Sequence, residues 1–435
     1  MLSLFVRLLP RPCESHASVA FRSGILRADM ATIHPLKALR PPVEMVAQVA
    51  APPYDVVTEA EARAFAAGKP FCFLRISRSE VDFPPGTDPY SPAIYDRAAE
   101  NLAEFQRQGV LVPDQTAAIY VYRQRMGEHV QAGVVALCSV DEYDDDRIKK
   151  HEKTRQDKED DRTRHIVRTR CQTGPVFLTY RDRPRITELM HTVMQRDPLY
   201  DFDDDRAVRH TVWRVDESDP LCTEIQREFE QVPALYIADG HHRAKSASRA
   251  RAELRAANPS HTGDEPYNRF LGVMFPAGQL QILPYNRVVL RAPAGDVMAR
   301  VRERFEVEDL TGPVPPPRGS AALYLGGRWY GIRPKNAPPD DPIEGLDVSV
   351  FQRELLGPVF GIGDPRTDRN IEFVGGIRDA SELQAKADAN GGAAILLHPT
   401  RIEDVLRVSD AGGVMPPKST WFEPKLRSGM FVNPI

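Results

Sequence analysis

The ten residues 234–243, ALYIADGHHR, decide how this chain folds around its best candidate site. The first five predict a buried strand, and the glycine in the polar turn that follows permits backbone angles that other residues rarely adopt. The alanine- and arginine-rich segment from Ala244 to Ala257 predicts a helix. A strand, a tight turn and a helix recur where proteins bind anions, because the first helical turn leaves backbone N–H groups without partners.

Each residue of this turn has a candidate role. Gly240 lets the backbone approach a ligand, and Arg243 can bind phosphate or carboxylate through two parallel hydrogen bonds. Asp239 can hold Mg²⁺ or a substrate group, while His241 and His242 can donate to phosphate or carry protons. The structural alternative is a capped helix in which Asp239 is the N-cap and both histidines bind backbone groups. Two adjacent histidines beside an arginine favour the functional interpretation.

A second candidate cluster is formed by His151, Glu152, Lys153 and Thr154, which follow one another in the chain. These side chains could close over phosphates, and Glu152 could ligate Mg²⁺. The alternative is that the charged segment 141–170 is a solvated helix with ion pairs between residues four apart.

Three further positions carry candidate charges. Asp55 lies in a segment stiffened by prolines, and Arg287 closes a predicted strand. Lys418 and Lys425 lie in a proline-rich, aromatic tail, residues 415–425. This tail either packs as a structural cover or brings its lysines to a phosphate.

Composition excludes several classes of protein. Of the 435 residues, 42% are hydrophobic and 27% charged, which is typical of a globular protein. The formal net charge of −4 provides no basic field for nucleic acid. The five cysteines are scattered and never spaced C-x-x-C, which indicates a reducing, cytoplasmic location. No apolar run is long enough to span a membrane.

The chain divides into three predicted parts. Residues 1–29 are an arginine-containing start-site extension or transit-like segment, and initiation at Met30 is the favoured interpretation. Residues 30–290 form the catalytic core and residues 291–435 a C-terminal α+β region. The composition of the chain changes after residue 290, and the proline-rich loop 312–317 lies within this change.

Local patterns predict an α+β fold. Thr58 and Glu61 form a capping box at the start of a helix. Phe71–Ile76 is predicted as a short strand, residues 94–108 as a helix, and residues 117–123 and 131–140 as a strand pair.

The order of five short segments resembles the motif series of a large bacterial family known only as a domain of unknown function. The segments are residues 53–56, 151–154, 239–243, 285–287 and 416–420. The Asp-Gly-His-His-Arg turn also resembles the phosphate-binding turn of the ParB/sulfiredoxin superfamily, and within it that of the SerK-type free serine kinases. The chain differs from ParB proteins in having no recognisable helix-turn-helix, and from the compact archaeal kinases in its length.

This resemblance implies a ParB/sulfiredoxin-like mixed α/β nucleotide-binding core that transfers phosphate from ADP or ATP to free L-serine or a similar hydroxy amino acid, with Mg²⁺. It implies catalytic roles for Asp239, His242, Glu152 and Asp55, with the choice of base among the three carboxylates open. It implies nucleotide contacts from Gly240, His241, Arg243, His151, Lys153, Thr154, Arg287 and Lys418, and metal contacts from Glu152 and Asp239.

Two other functions remain open. One is a ParB-like switch that binds CTP or another nucleotide without kinase activity. The other is a metal-dependent hydrolase that uses His151, His241 and His242. No Walker loop, dinucleotide-binding glycine motif or nucleophile elbow is present. A homodimer is a further expectation, with a small-molecule substrate and neither nucleic acid nor membrane as partner.

Overall fold

Two β-sheets, of nine and six strands, organise the part of the chain described by the computed structural model, residues 30–435. The predicted extension, residues 1–29, lies outside the described residues. Helices flank both sheets, and the larger sheet mixes parallel and antiparallel pairs. The mixed α/β expectation is therefore confirmed, while membership of the ParB/sulfiredoxin superfamily stays a prediction.

Most strands are short, and the longest ones form the centre of the larger sheet. The strands are β1 (Ile33–His34), β2 (Leu39–Arg40), β3 (Val112–Pro113), β4 (Ala118–Met126), β5 (His129–Ser139), β6 (Ile148–Lys149), β7 (Cys171–Gln172), β8 (Val176–Tyr180), β9 (Tyr200–Asp203), β10 (Val208–Asp216), β11 (Leu235–Asp239), β12 (Arg269–Pro276), β13 (Gln281–Leu283), β14 (Tyr285–Val289), β15 (Phe305–Leu310), β16 (Ala321–Leu325), β17 (Arg328–Pro334), β18 (Ile371–Gly375), β19 (Ala393–Leu397), β20 (Trp421–Glu423) and β21 (Asn433–Pro434).

The helices range from single turns to sixteen residues, the length of the longest two. They are α1 (Val46–Val49), α2 (Glu59–Ala66), α3 (Leu74–Ser77), α4 (Pro92–Arg107), α5 (Val140–Asp144), α6 (Gln156–Thr169), α7 (Pro184–Val193), α8 (Pro220–Phe229), α9 (His241–Ala256), α10 (Val297–Arg304), α11 (Asp347–Phe351), α12 (Ala380–Asn390) and α13 (Ile402–Asp410). A π-helical turn, Gln352–Leu356, follows α11.

The nine-stranded sheet runs in the order β6-β11-β8-β12-β5-β4-β10-β9, with β1 also paired to β5. Its central strands are buried on both faces, so their sequences are nearly continuous apolar runs. Along β4, Ile119 and Val121 pack on the face covered by helices, and Tyr120 and Tyr122 pack on the opposite face. This second face is covered by residues 415–435, which we call the C-terminal tail from here on. The contacts are made by Phe422, Leu426, Met430 and Phe431.

The six-stranded sheet is antiparallel throughout, in the order β15-β17-β16-β19-β14-β18. Strand β14 belongs to this sheet, whereas the preceding β13 pairs with β20 of the tail. The last residues of the chain form a separate two-stranded sheet, in which β21 pairs with β7. The predicted boundary at residues 290/291 stays a prediction; the change of sheet itself occurs between β13 and β14.

Several local predictions are confirmed. The capping box at Thr58 and Glu61 starts α2, the predicted helix 94–108 is α4, and the predicted strand pair is β4 and β5. The predicted strand Phe71–Ile76 is wrong. Residues 74–76 instead belong to the short helix α3, which packs against α4.

The charged segment 141–170 is not one solvated helix. It forms α5, the edge strand β6, a loop and α6. Helix α6 packs between α4 and α9, so Glu159, Asp161 and His165 are buried. None of the helices in residues 30–435 is both long and apolar enough to cross a membrane.

Candidate active site

The predicted strand–turn–helix is present as β11, Gly240 and α9. Strand β11 is buried, and Gly240 has a φ of 96°, in the left-handed region that favours glycine. Gly240, not Asp239, occupies the N-cap position of α9, and no side chain caps the helix. The carbonyl of Gly240 accepts from the N–H groups of Arg243 and Ala244. The start of α9 therefore has the positive end of its dipole and no side-chain carboxylate cap, as anion-binding helices do.

The loop that carries residues 151–154 lies beside this turn because of sheet topology. Strands β6 and β11 are parallel neighbours, with Ile148 opposite Leu235. Their carboxyl ends therefore meet at one edge of the sheet, where ligands commonly bind. His151 follows shortly after the end of β6, and Asp239 is the last residue of β11, so both lie at this edge.

His151 and His241 pack edge to face, with ring centroids 4.5 Å apart. The N–H of His151 donates to Nε2 of His241 over 3.3 Å, so the proton of the neutral His241 ring lies on Nδ1. That Nδ1 faces Oε2 of Glu152 at 3.7 Å. Burial lowers the pKa of His151 to about 4 and that of His241 well below its usual value. Both rings are therefore neutral at physiological pH.

Glu152 is the most exposed carboxylate of this cluster, with 45% of its side chain accessible. Partial burial raises its pKa; Lys418 opposes that rise, while Asp239 and Asp55 add to it. Three carboxylates and a lysine therefore act on one another here although they come from four distant segments.

Arg243 is buried beneath the turn and is held through its two terminal nitrogens, while its Nε is buried without a hydrogen-bond partner. Its Nη2 donates to both carboxylate oxygens of Asp55, at 2.6 and 2.7 Å, and its Nη1 donates to the carbonyl of Pro175 at 2.9 Å. Burial alone would lower the pKa of Arg243, but Asp55 and Asp239 raise it above the usual value. The guanidinium thus ties Asp55 to the turn. Its predicted contact with nucleotide phosphate stays a prediction.

Asp55 is placed by its neighbours as well as by Arg243. The Arg78 guanidinium donates to the carbonyls of Tyr54 and Val57 and so holds the chain on both sides of Asp55. The Tyr54 ring stacks under the Arg162 guanidinium, whose carbon lies 4.4 Å from the ring centroid.

Asp239 forms an ion pair that joins the first sheet to the tail. Nζ of Lys425 donates to Oδ2 of Asp239 at 2.8 Å. Burial alone would raise the pKa of Asp239, but Lys425 and Arg243 outweigh burial and hold this pKa well below its usual range. Asp239 therefore stays ionised, with 27% of its side chain accessible.

His242 and Thr154 have local partners. Nε2 of His242 accepts from the backbone N–H of Arg155 at 3.0 Å, and burial lowers the pKa of this histidine. The Thr154 hydroxyl donates to Glu159, whose other oxygen pairs with Arg249. These contacts fix the loop 151–155 onto α6 and α9.

A group of cations and aromatic rings from the second sheet and the tail lies next to these carboxylates. Nζ of Lys418 lies 5.7 Å from the Tyr285 ring centroid, and Nζ of Lys425 lies 4.7 Å from the Trp421 ring centroid. The two rings pack edge to face at 5.3 Å. We call these four residues, together with Arg287, the cation–aromatic cluster.

An open cleft of about 380 Å³ lies along the start of α9. Its walls include the carboxylate of Glu152, the ring of His241 and the side chains of three lysines, Lys150, Lys153 and Lys245. The cleft thus combines a helix N-terminus with lysines, which suits a polyanion.

Most of the predicted site residues lie in this one region: Asp55, His151, Glu152, Lys153, Thr154, Asp239, Gly240, His241, His242, Arg243 and Lys418. Arg287 lies farther along, on β14 beside Tyr285. Five further residues lie at this site without a role predicted from the sequence: Tyr54, Lys150, Glu159, Lys245 and Tyr285. The sequence signal for them is that Tyr54 and Tyr285 lie inside the motif segments.

The expected metal contacts of Glu152 and Asp239 stay a prediction. No group of three or more His, Cys, Asp or Glu side chains within residues 30–435 is arranged to hold a metal ion. The three-histidine site of the hydrolase hypothesis is accordingly not formed: His151 and His241 contact each other, and His242 binds the backbone of Arg155. Glu152 and Asp239 are close enough to influence one another's charge.

Comparisons with known proteins give distant structural likenesses. No curated protein matches this chain. A free serine kinase in complex with AMP is 15% identical and aligns over 67% of this chain and 86% of its own, with a TM-score of 0.33. A conserved hypothetical protein from Pyrococcus furiosus is 14% identical over 69% of this chain and 95% of its own, with a TM-score of 0.32. SbnI with a C-terminal truncation, from Staphylococcus aureus, is 10% identical over 69% of this chain and 87% of its own, with a TM-score of 0.35.

Family membership rests on a longer match. The family described as "Protein of unknown function (DUF1015)" matches residues 33–349, which include β1 to β17 and the turn at Gly240. This range is most of the chain, so the chain belongs to the DUF1015 family.

Proposed function

We propose that this protein is a small-molecule kinase that transfers a phosphoryl group from ADP or ATP to the hydroxyl of free L-serine, giving O-phosphoserine. One observation carries the phosphotransferase part. The helix α9 starts with Gly240 and no side-chain cap, and it borders a cleft whose lysines complement a polyphosphate. The choice of L-serine as acceptor rests on the resemblance of the Asp-Gly-His-His-Arg turn to that of free serine kinases.

The donor nucleotide lies with its phosphates at the start of α9. The helix dipole and the lysines of the cleft, Lys150, Lys153 and Lys245, neutralise phosphate charge. Phosphoryl transfer relies on positioning and electrostatic stabilisation more than on covalent chemistry from the protein. A cleft that offers fixed positive groups before the ligand arrives meets this requirement.

Glu152 is the best base among the three candidate carboxylates. The Asp239 carboxylate is held by Lys425, and that of Asp55 accepts two hydrogen bonds from Arg243. Glu152 combines a raised pKa with an accessible side chain, as a base acting near neutral pH requires. It accepts the proton of the serine hydroxyl as the hydroxyl oxygen bonds to phosphorus and the phosphorus–oxygen bond to the leaving nucleotide breaks.

Mg²⁺ is usually bound through one or two carboxylates together with phosphate oxygens. Asp239, which stays ionised, would hold it, because a Glu152 carboxylate bound to the ion could not also accept the serine proton. When bound, the ion neutralises charge on the phosphates.

The test is product formation with a matched control. The protein is incubated with L-serine, Mg²⁺ and ATP or ADP, and O-phosphoserine is measured by mass spectrometry. We expect Glu152→Gln to lower kcat by about 100-fold or more, the usual contribution of a general base. Glu253→Gln, on the exposed side of α9, should leave kcat unchanged. If neither donor gives O-phosphoserine, the kinase proposal is wrong; stabilisation by CTP alone, without turnover, would instead favour a nucleotide switch.

A further inference from the structure

Arg287 is the buried cation of the described residues that lacks a carboxylate partner. Three arginines in residues 30–435 are almost fully buried: Arg243, Arg287 and Arg427. Arg243 pairs with Asp55, and Arg427 pairs with Asp204 and Asp205. Arg287 is 4% exposed, and its hydrogen bond goes from Nη1 to the backbone carbonyl of Tyr285.

Burying a guanidinium without a counter-charge is unfavourable. Burial lowers the pKa of Arg287 to about 10, with only Tyr285 acting in the other direction. A buried charge of this kind is normally paired or serves a ligand. Arg287 is not completely enclosed, since 4% of its surface is accessible.

The residues around Arg287 indicate which kind of anion its guanidinium could bind. The guanidinium carbon lies 4.8 Å from the Phe373 ring centroid, and Phe373 packs edge to face on Tyr285. Tyr285 in turn contacts Lys418, and the charge of Lys418 acts on Glu152. A route of adjacent side chains thus connects Arg287 to the carboxylate proposed as the base.

We propose that Arg287 binds the carboxylate of the acceptor amino acid, with Lys418 beside it, so that the acceptor hydroxyl points toward Glu152. This inference rests on the proposed function. A carboxylate suits the position because it is planar and carries one charge, which one guanidinium neutralises through two parallel hydrogen bonds. A polyphosphate carries several charges, and the cleft lined by Lys150, Lys153 and Lys245, from which Arg287 is absent, suits it better.

The experiment compares ligands that differ only in the carboxylate. Binding of L-serine and of L-serinamide is measured by calorimetry, without nucleotide, on the unaltered protein, on Arg287→Gln and on Arg287→Lys. We expect the unaltered protein to prefer L-serine about 100-fold, and Arg287→Gln to lose that preference by binding both ligands weakly. Arg287→Lys should recover part of it, because it keeps the charge but not the planar fork. Arg291→Gln, an exposed arginine just beyond the same strand, should keep the full preference.

The outcomes separate this inference from the proposed function. If the unaltered protein does not distinguish L-serine from L-serinamide, or if Arg287→Gln retains the preference, Arg287 does not bind the carboxylate. If Arg287→Gln instead weakens ADP binding and leaves the L-serine preference intact, the arginine serves the phosphates and the inference is wrong. A preference that depends on Arg287 in a protein that forms no O-phosphoserine would uphold the carboxylate site and overturn the kinase.

Discussion

The substitution Gly240→Ala tests whether the turn before α9 and the buried Arg243 form one unit. At a φ of 96°, alanine is strained. In addition, the new Cβ would lie 3.3 Å from Cδ of Arg243 and 3.5 Å from its Nη1. Arg243 is held by Asp55 and Pro175, so it can move aside only by weakening those hydrogen bonds.

Two contributions set the loss of stability in Gly240→Ala: the strained backbone and the displacement of Arg243. A control variant, Gly263→Ala, measures the backbone strain alone. Gly263 has a φ of 105°, and a Cβ there would meet no atom within 4 Å. A left-handed backbone costs about 1–2 kcal/mol for alanine, and the reduced freedom of the unfolded chain returns about 0.4–1 kcal/mol. Gly263→Ala should therefore destabilise by about 0–1.6 kcal/mol. A whole charge-assisted hydrogen bond contributes about 1.5–3 kcal/mol, so weakening one should make Gly240→Ala more destabilising than Gly263→Ala by up to about 3 kcal/mol.

Urea denaturation followed by far-ultraviolet circular dichroism measures both changes, since the midpoint shift multiplied by the m-value gives the difference in unfolding free energy. Both glycines are in the part of the chain that builds the first sheet, so both variants report on the same unfolding transition. If Gly240→Ala is no more destabilising than Gly263→Ala, Arg243 is not locked against the turn.

Three further predictions use other contacts of the site. In a double-mutant cycle of Asp55→Ala and Arg243→Met, urea denaturation should give a coupling free energy of about 1–3 kcal/mol. This is less than for a fully buried ion pair, because 31% of the Asp55 side chain is accessible. Additive effects of the two substitutions would mean that the pair contributes nothing to stability. Lys425→Met removes the cation that lowers the pKa of Asp239, so the acid limb of the pH–activity profile should move to higher pH. The control Lys37→Met, at an exposed site, should not move this limb. An unchanged limb in Lys425→Met would mean that activity does not depend on the ionisation of Asp239. Burial lowers the pKa of His165 to about 4 from 6.5, so this residue takes up a proton when the chain unfolds. Its own contribution to stability should be constant above pH 6.5 and fall by up to about 3 kcal/mol between pH 6.5 and 4. His165→Gln should reduce the fall of the urea midpoint over this range by that share, leaving the shares of the other buried histidines, and an unchanged slope would mean that His165 contributes nothing.

The sequence predicts the strand and helix around Gly240 because the signal is local. Five apolar residues, a glycine and a long alanine-rich segment each favour one structure, and no distant contact competes with them. Phe71–Ile76 is predicted wrongly because a short apolar run fits a buried helix as well as a strand. Its burial against α4 decides between the two, and that contact is not visible in the sequence.

The identity of the site residues is easier to predict than their partners. Arg243 and Asp239 stand out in the sequence, but their partners Asp55 and Lys425 are 188 and 186 residues away. Asp239 pairs with the tail instead of capping α9, because Gly240 occupies the capping position. The unpaired charge of Arg287 likewise depends on which residues the second sheet brings near it.

A crystal structure of the protein with ADP and Mg²⁺ bound tests the account most directly. We expect the phosphates at the start of α9, within hydrogen-bond distance of its first-turn N–H groups, with Lys150, Lys153 or Lys245 in contact with them. A nucleotide bound elsewhere, or phosphates that touch none of these groups, would contradict it.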